Sequence, residues 1–354
     1  MADLGETGDK KLIAVLHGAR IWPPPVWFMR QAGRYLPEYR AVRARVADFI
    51  ALCTAPDLAT EVTLQPIRRF GFDAAILFSD ILMLPWALGH GLAFRAGEGP
   101  VLPPLRDAAG LARLDPTRLP RAIAPILETV HRVRAGLAAE GFDRTTLIGF
   151  AGAPFTVACY LVEGGGSKDF VATRRMAYAQ PDLFATLITR LTEATITYLS
   201  AQIEAGAEVV MLFDSWAGVL APLLFHMHAI APARRIVAAL RVRHPDVPVI
   251  AFPRLAGAAL GVYAREVGAQ AIGVDTGTGL AQARVSVGPE RVLQGAIDPL
   301  ALLAGGQALT AAAAEALVAA RDGRVIVNLG HGILPETPIE HVAALLDQLR
   351  RAAA

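Results

Sequence analysis

The stretch EVVMLFD, residues 208–214, is an apolar run that shows no polar alternation, ends in an aspartate and is followed by Ser215. Such a run is typical of a parallel strand that is buried on both faces, because every side chain then meets a packed layer. The same pattern recurs along the chain, at residues 24–30, 73–80, 146–150, 208–214, 247–252, 271–275, 291–297 and 324–329. These runs predict a sheet of buried parallel strands.

Helical patterns separate the runs. Leu183, Leu187 and Leu191 lie at helical spacing within residues 182–206, and residues 308–320 are rich in alanine, a strong helix former. Thr337 followed by Pro338 and by Glu340 predicts a capped start of the last helix. Strands that alternate with helices predict a (β/α)8 TIM barrel, an α/β fold, with an open doubly wound sheet as the alternative.

The length of 354 residues exceeds the roughly 250 residues of a typical barrel, so part of the chain must be inserted. Residues 89–120, rich in glycine and proline, follow the second run and are predicted to be this insertion. No change in amino-acid composition along the chain indicates a linker between two domains. We therefore expect residues 1–354 to form a single domain, with about residues 1–10 as a flexible N-terminal tail.

Composition excludes several classes of protein. Hydrophobic residues make up 54% of the chain and charged residues 19%, which does not fit a disordered protein. The net charge of +2 gives no support for nucleic-acid binding, and two cysteines make no disulfide scaffold. The uncharged stretches 145–162 and 215–233 are interrupted by glycine and proline, which argues against membrane spans. Without a signal-peptide pattern, a cytoplasmic location is expected.

In a barrel, the active site forms at the carboxyl ends of the strands. The polar residues expected to converge there are Arg30, Arg34, Asp80, Ser215, Arg254, Asp275, Asp298 and His331. A metal site at His226 and His228 is a weaker hypothesis, because no cysteine or carboxylate partner lies near them in the sequence.

The segment PVWFMRQAGRY, residues 25–35, places two arginines around a glutamine and a glycine, where the first strand should end. Guanidinium forks, a side-chain amide and accessible backbone N–H groups are suited to anionic oxygens. From these residues alone, an ordinary surface turn remains an alternative.

This segment resembles the signature of the uroporphyrinogen decarboxylase family, and further matching blocks follow in order. They are FDAAILFSDI at 72–81, GFAGAPFT at 149–156 with Tyr160 and EGG at 163–165, FDSWAG at 213–218, QGAIDP at 294–299 and NLGHGI at 328–333. The resemblance extends from about residue 11 to residue 348. Thr276 stands where the family usually has tryptophan and Ala296 where it usually has asparagine, which puts local packing in doubt more than activity.

The resemblance implies a (β/α)8 barrel, usually a homodimer, that works without a metal or an organic cofactor. Its implied reaction is a carboxy-lyase step of haem and porphyrin biosynthesis, in which the four acetates of uroporphyrinogen III become the methyl groups of coproporphyrinogen III. The substrate is a tetrapyrrole with eight carboxylates and four pyrrole N–H groups. Departing carbon dioxide leaves an electron pair, and a protonated pyrrole ring can accept it in place of a cofactor.

The resemblance also implies residue roles. Asp80 is expected to accept hydrogen bonds from the pyrrole N–H groups and to stabilise the cationic ring, although its position also suits a helix cap. Arg30 and Arg34 are expected to bind carboxylates. Arg30 is also a catalytic candidate, with a binding or proton-relay role preferred to that of a free general acid, because a guanidinium does not readily give up its proton at neutral pH.

The other residues expected to bind substrate are Gln31, Ala32, Gly33, Phe49, Tyr160, Ser215 and His331, and Tyr160 is expected to be catalytic as well. Core or capping roles remain alternatives for Phe49, Tyr160, Ser215 and His331.

Two other functions remain open. A zinc-dependent corrinoid or thiol methyltransferase of the same superfamily needs His and Cys ligands at the strand ends, whereas Cys53 and Cys159 form no His-x-Cys pair. A non-catalytic porphyrin-binding protein could dispense with Asp80, which is present.

Overall fold

Parallel strands build the centre of the fold, in a computed structural model that describes residues 10–95 and 97–352. The tail predicted for residues 1–10 lies outside this range, except for Lys10. The strands are β1 (Ala74–Ile76), β2 (Ala93–Arg95), β3 (Gly99–Val101), β4 (Thr146–Gly152), β5 (Val209–Asp214), β6 (Val249–Pro253), β7 (Ala271–Gly273), β8 (Val292–Ile297) and β9 (Val325–Leu329).

The first four α-helices precede β1, and the others come after it in the chain. They are α1 (Lys11–Leu16), α2 (Pro37–Arg43), α3 (Phe49–Cys53), α4 (Pro56–Phe70), α5 (Met83–Ala87), α6 (Ala108–Ala112), α7 (Leu119–Ala139), α8 (Pro154–Glu163), α9 (Val171–Ala179), α10 (Pro181–Glu204), α11 (Pro222–Phe225), α12 (Ala231–Arg243), α13 (Leu260–Val267), α14 (Leu280–Val287), α15 (Pro299–Ala304), α16 (Gly306–Ala319) and α17 (Ile339–Arg351). A π-helix, His226–Ile230, joins α11 to α12. Among the described residues, no helix combines the length and apolar character needed to cross a membrane.

A curled sheet of seven parallel strands has the order β1-β4-β5-β6-β7-β8-β9. Nearly every residue of these strands is buried, as the uninterrupted apolar runs predict. The chain around Val26 lies between the two edge strands. The Val327 N–H donates to the Pro25 carbonyl at 2.9 Å, and on the other side the Asp73 N–H, just before β1, donates to the Val26 carbonyl at 3.0 Å.

The prediction of a regular strand at residues 24–30 was wrong. This segment makes a single parallel bridge, between Val26 and Val327, whereas the other seven runs form the strands of the sheet. Pro23, Pro24 and Pro25 explain the difference, because proline has no N–H to donate to a ladder. The first free N–H, that of Val26, is taken by the Asp73 carboxylate at 2.8 Å.

Residues 89–120 contain more regular structure than a glycine- and proline-rich composition suggests. They include the antiparallel hairpin of β2 and β3, the helix α6 and a 3₁₀ turn, Pro116–Arg118. The far end of the hairpin is attached to the end of α8, because the Leu102 N–H donates to the Gly164 carbonyl at 2.9 Å.

Two predicted helices are confirmed, and the predicted cap of the last helix is wrong. The helices predicted at residues 182–206 and 308–320 are present as α10 and α16. The capped start of the last helix was wrong: Pro338 occupies the cap position of α17, with no side-chain hydrogen bond. Thr337 turns into the core instead, 3% exposed, where its hydroxyl has no partner among the described residues.

A buried glutamine ties α10 to the sheet and leads to a stability prediction. Gln202 accepts a hydrogen bond from the Phe150 N–H at 2.8 Å and donates to the Phe150 carbonyl at 2.9 Å. Gln202→Leu removes both partners, and an unsatisfied buried backbone group costs roughly 1–3 kcal/mol. We expect the free energy of unfolding to fall by about 2–4 kcal/mol in urea titrations. The control Gln307→Leu, at an exposed position on α16, should change it by less than about 0.5 kcal/mol; equal effects of the two substitutions would contradict the prediction.

Candidate active site

A cavity of about 730 Å³ lies at the carboxyl ends of β1, β5 and β9. The expected site residues that line it are Arg30, Ala32, Gly33, Arg34, Phe49, Asp80, Ser215 and His331. Parallel topology brings Asp80, Ser215 and His331 together, because residues that follow parallel strands share one edge of the sheet. Phe49 comes from α3, and the arginine segment follows the bridge of Val26 to β9. Gln31 and Tyr160 are not part of the lining.

Gln31 is fully buried and its amide is occupied by the backbone. Its Oε1 accepts a hydrogen bond from the Phe28 N–H at 3.1 Å, and its Nε2 donates to the Ala74 carbonyl at 2.9 Å. The side chain therefore ties the arginine segment to β1, and it does not line the cavity. Its placement supports Arg30 and Arg34 on either side.

Arg30 occupies an unusual backbone conformation. Its φ is +63°, in the left-handed region that a residue with a Cβ rarely adopts. The neighbouring Met29 is held on both sides, since its N–H donates to Asn328 Oδ1 at 2.9 Å and its carbonyl accepts the Ile333 N–H at 2.9 Å. A Cβ on Gly332 would lie 2.4 Å from Arg30 Cδ, so glycine there makes room for the arginine stem. These contacts direct an exposed Arg30 side chain to the cavity.

Asp80 supplies the carboxylate of the cavity. Its Oδ1 accepts a hydrogen bond from the Leu82 N–H at 2.8 Å, the one bond that a described residue makes to this carboxylate. Asp80 does not cap a helix, because the cap position of α5 is Leu82 and no side chain makes a capping hydrogen bond there; Oδ2 remains available to a ligand. Burial raises the pKa of Asp80, while the Leu82 N–H and the positive charge of Arg30 act in the opposite direction.

Ser215 follows β5 and faces the cavity from a loop held by a buried carboxyl group. The Thr156 hydroxyl donates to Asp214 Oδ1 at 2.6 Å and accepts a hydrogen bond from the Trp216 N–H at 3.1 Å. Burial raises the pKa of Asp214 to about 7, although hydrogen bonds from Thr156 oppose this shift. Asp214 and Thr156 together therefore hold the chain before and after Ser215.

Tyr160, on α8, is half-buried next to Trp216, with 6.4 Å between the ring centroids. Burial is the main cause that raises its pKa, and the charges of Asp80 and Arg30 also act on it. The phenol thus lies within electrostatic range of the two charged groups of the site and stays protonated at neutral pH.

His331 follows β9 and is half-buried in the cavity wall. Burial, together with the positive charges of Arg254 and Arg30, lowers its pKa to about 4. The imidazole is therefore neutral at pH 7, with one N–H donor and one acceptor nitrogen.

The remaining strand-end residues have other contacts. Arg254 does not line the cavity, and its guanidinium lies 5.8 Å from the centroid of the Trp216 ring. Asp275 accepts hydrogen bonds from the backbone N–H groups of Leu255 and Thr278, and Asp298 accepts the Leu300 N–H at 2.8 Å and caps α15. These two carboxylates hold loops in place.

Sequence reasoning missed two arginines of the cavity, Arg43 and Arg95. Arg43 ends α2 and Arg95 ends β2, so neither directly follows a strand of the main sheet. Together with Arg30 and Arg34 they place four guanidinium groups around a lining whose only carboxylate, among the described residues, is Asp80. Such a surface attracts a ligand with several negative charges.

Comparison with known proteins identifies the family. A family model described as Uroporphyrinogen decarboxylase (URO-D) matches residues 7–352. The chain belongs to the uroporphyrinogen decarboxylase family. A relative from Granulibacter bethesdensis named uroporphyrinogen decarboxylase is 61% identical over 342 residues, 97% of this chain and 99% of the relative. Another of that name, from Gluconacetobacter diazotrophicus, is 56% identical over 353 residues, 98% of this chain and 99% of the relative.

Solved structures share the fold of this family member. A methyltransferase from Methanosarcina mazei superimposes with a TM-score of 0.75, covering 98% of this chain and 99% of the other, at 22% sequence identity. At that identity the likeness concerns the fold alone. The described part of this uroporphyrinogen decarboxylase family member contains no group of three or more His, Cys, Asp and Glu side chains placed to hold a metal ion.

Proposed function

We propose that this protein converts uroporphyrinogen III to coproporphyrinogen III and carbon dioxide, a carboxy-lyase reaction of haem and porphyrin biosynthesis. The observation that carries the proposal is the charge pattern of the cavity, in which four arginines surround one carboxylate, Asp80. A tetrapyrrole with an anionic rim and four central N–H donors complements this pattern. The relatives' shared name supports the same reaction.

In the proposed reaction, a proton first adds to the pyrrole carbon next to the acetate-bearing carbon, and the ring becomes cationic. The bond between the acetate methylene and its carboxylate then breaks, and the electron pair of that bond flows into the ring as carbon dioxide leaves. A second proton adds to the resulting exocyclic methylene to form the methyl group. Loss of the first ring proton restores the pyrrole. The ring itself accepts the electrons, so we propose no organic cofactor and no metal.

We assign Asp80 two tasks in this sequence. Its available Oδ2 and the outer lone pair of Oδ1 accept hydrogen bonds from inward-facing pyrrole N–H groups. Its negative charge stabilises the cationic ring more than the neutral one, and only such a difference accelerates the chemical step.

The other residues bind and orient the substrate. Arg30 and Arg34 bind carboxylates, with Ala32 and Gly33 as the backbone between them, and Gln31 positions this segment from below. We assign Tyr160 and Ser215 hydroxyl groups near the reacting acetate, with Tyr160 as a further catalytic candidate. The neutral His331 donates one N–H to a carboxylate on the opposite side, and Phe49 forms part of the apolar wall.

The assay that tests this function uses freshly reduced uroporphyrinogen III under anaerobic conditions, with the oxidised products separated by their number of carboxylates. Products with seven, six, five and four carboxylates are expected. Binding without loss of carbon dioxide would instead support the porphyrin-binding alternative. Stoichiometric zinc in the purified protein would support the methyltransferase alternative, which the side-chain placement does not favour.

We further propose that the chain forms a single-domain (β/α)8 barrel, in which the segment around Val26 takes the eighth position and residues 89–120 are an insertion. Its hydrogen bonds to β9 and to Asp73 support that closure.

We also propose a cytoplasmic homodimer. Exposed apolar side chains on α11, the π-helix, the turn after β6 and α13, namely Leu223, Met227, Leu255 and Val262, support a protein contact. Sedimentation at the mass of one chain would contradict the homodimer.

Arg34 leads to a binding prediction. Its exposed guanidinium lines the cavity, and a planar fork binds a carboxylate through two parallel hydrogen bonds that an ammonium group cannot reproduce. Arg34→Lys is therefore expected to raise KM by about three- to tenfold, equal to roughly 1 kcal/mol. An unchanged KM and an unchanged turnover number in steady-state assays would contradict this role.

A further inference from the structure

The hairpin of β2 and β3 forms one side of the cavity mouth. Phe94, Arg95, Gly97 and Gly99 belong to the cavity lining. The Phe94 ring packs against Phe49 with 4.6 Å between centroids, and Phe49 packs in turn against Phe78 at 5.7 Å. With its other end bonded to Gly164, the hairpin holds Arg95 at the mouth of the site.

Arg95 has only a weak partner among the described residues. Its guanidinium lies 3.5 Å from a Glu98 carboxylate oxygen, and the two side chains are 62% and 63% exposed. An ion pair so exposed contributes little, because water screens both charges. A carboxylate of a ligand in the cavity can bind the guanidinium through two hydrogen bonds and displace Glu98.

We propose that Arg95 is a binding residue for a propionate carboxylate of the tetrapyrrole and that it exchanges Glu98 for this carboxylate when substrate enters. The inference rests on the proposed function and adds a residue that neither the sequence motifs nor the family blocks include. The propionates are not altered by the reaction, so the contact is equal in the bound substrate and in the transition state. Such uniform binding changes KM and leaves kcat unaffected.

The test is a mutant cycle on the two hairpin residues. Arg95→Gln is expected to raise KM by about three- to tenfold with kcat unchanged, and Arg95→Lys should restore part of the loss. Glu98→Gln should lower KM by about twofold, because it removes the competing carboxylate. The double variant should have the KM of Arg95→Gln alone, since Glu98 acts only through Arg95.

A matched control is the exposed pair Arg235 and Glu193, which joins α12 to α10 away from the cavity. Arg235→Gln and Glu193→Gln are expected to leave KM and kcat unchanged. The inference is overturned if Arg95→Gln leaves KM unchanged, if it lowers kcat instead, or if Glu98→Gln has the same effect on KM as Arg95→Gln.

A second measurement separates propionate from acetate contacts. Coproporphyrinogen III retains four propionates and no acetates, so Arg95→Gln should weaken its binding, measured by anaerobic equilibrium dialysis, by the same factor as it raises KM. Undiminished binding of this compound would overturn the propionate assignment. If the wild-type chain binds coproporphyrinogen III but does not decarboxylate uroporphyrinogen, the proposed function is contradicted, and dialysis still tests the role of Arg95. If the wild-type chain neither binds the one nor decarboxylates the other, both the proposed function and the role of Arg95 are overturned.

Discussion

Asp80→Asn is expected to lower kcat by about 10²- to 10³-fold while weakening substrate binding by only about three- to tenfold, because its amide Nδ2 donates where Oδ2 of the carboxylate accepts a pyrrole N–H. The substitution nearly preserves the shape of the side chain, and the amide oxygen can still accept the Leu82 N–H that now bonds Oδ1. It removes the negative charge that the cationic ring needs and that the neutral substrate needs much less. Anaerobic single-turnover assays and equilibrium dialysis measure the two quantities separately.

The matched control is Asp107→Asn. Asp107 also accepts a backbone hydrogen bond at the start of a helix, from Gly110 at 2.7 Å, but it is exposed and does not line the cavity. This variant should retain wild-type turnover. If Asp80→Asn keeps its turnover, or loses affinity and turnover by the same factor, Asp80 does not act on the transition state.

Arg30→Met is expected to lower kcat/KM by about a hundredfold, equal to roughly 3 kcal/mol, a typical cost of removing a guanidinium that binds a largely desolvated carboxylate. The methionine side chain keeps the unbranched stem that passes Gly332. The same steady-state assay of Arg30→Lys, which keeps the charge but not the fork, should give an intermediate value.

The pH dependence distinguishes the effect of Arg30 on Asp80 from its role in binding. Asp80 must be ionised to stabilise the ring, so activity falls as the pH decreases through its pKa, which burial raises above the usual aspartate value. The charge of Arg30 lowers this pKa, so its removal raises it further. The acidic limb of the kcat/KM profile should therefore move to higher pH in Arg30→Met and stay near the wild-type position in Arg30→Lys. An unmoved limb in Arg30→Met would show that the two charges do not interact.

Much of the fold and of the site could be predicted from the sequence, and the reason is local. An apolar run without polar alternation packs on both faces wherever it occurs in the chain. The seven strands of the main sheet could therefore be predicted from such runs. Asp80, Ser215 and His331 follow such runs closely, and parallel topology then requires that they lie at one end of the sheet.

Only the tertiary structure decided which side chains reach the cavity. Gln31 directly follows Arg30, whose φ is +63°, and its amide donates to the Ala74 carbonyl. The sequence of the segment does not indicate this direction of the side chain. Arg95 reaches the mouth because Phe94 packs on Phe49, a contact between residues far apart in the chain. Whether a run of residues forms a buried strand depends on the burial and hydrogen bonding of those residues themselves. The direction of a side chain in a loop depends on contacts between distant segments, and these contacts exist only after the chain has folded.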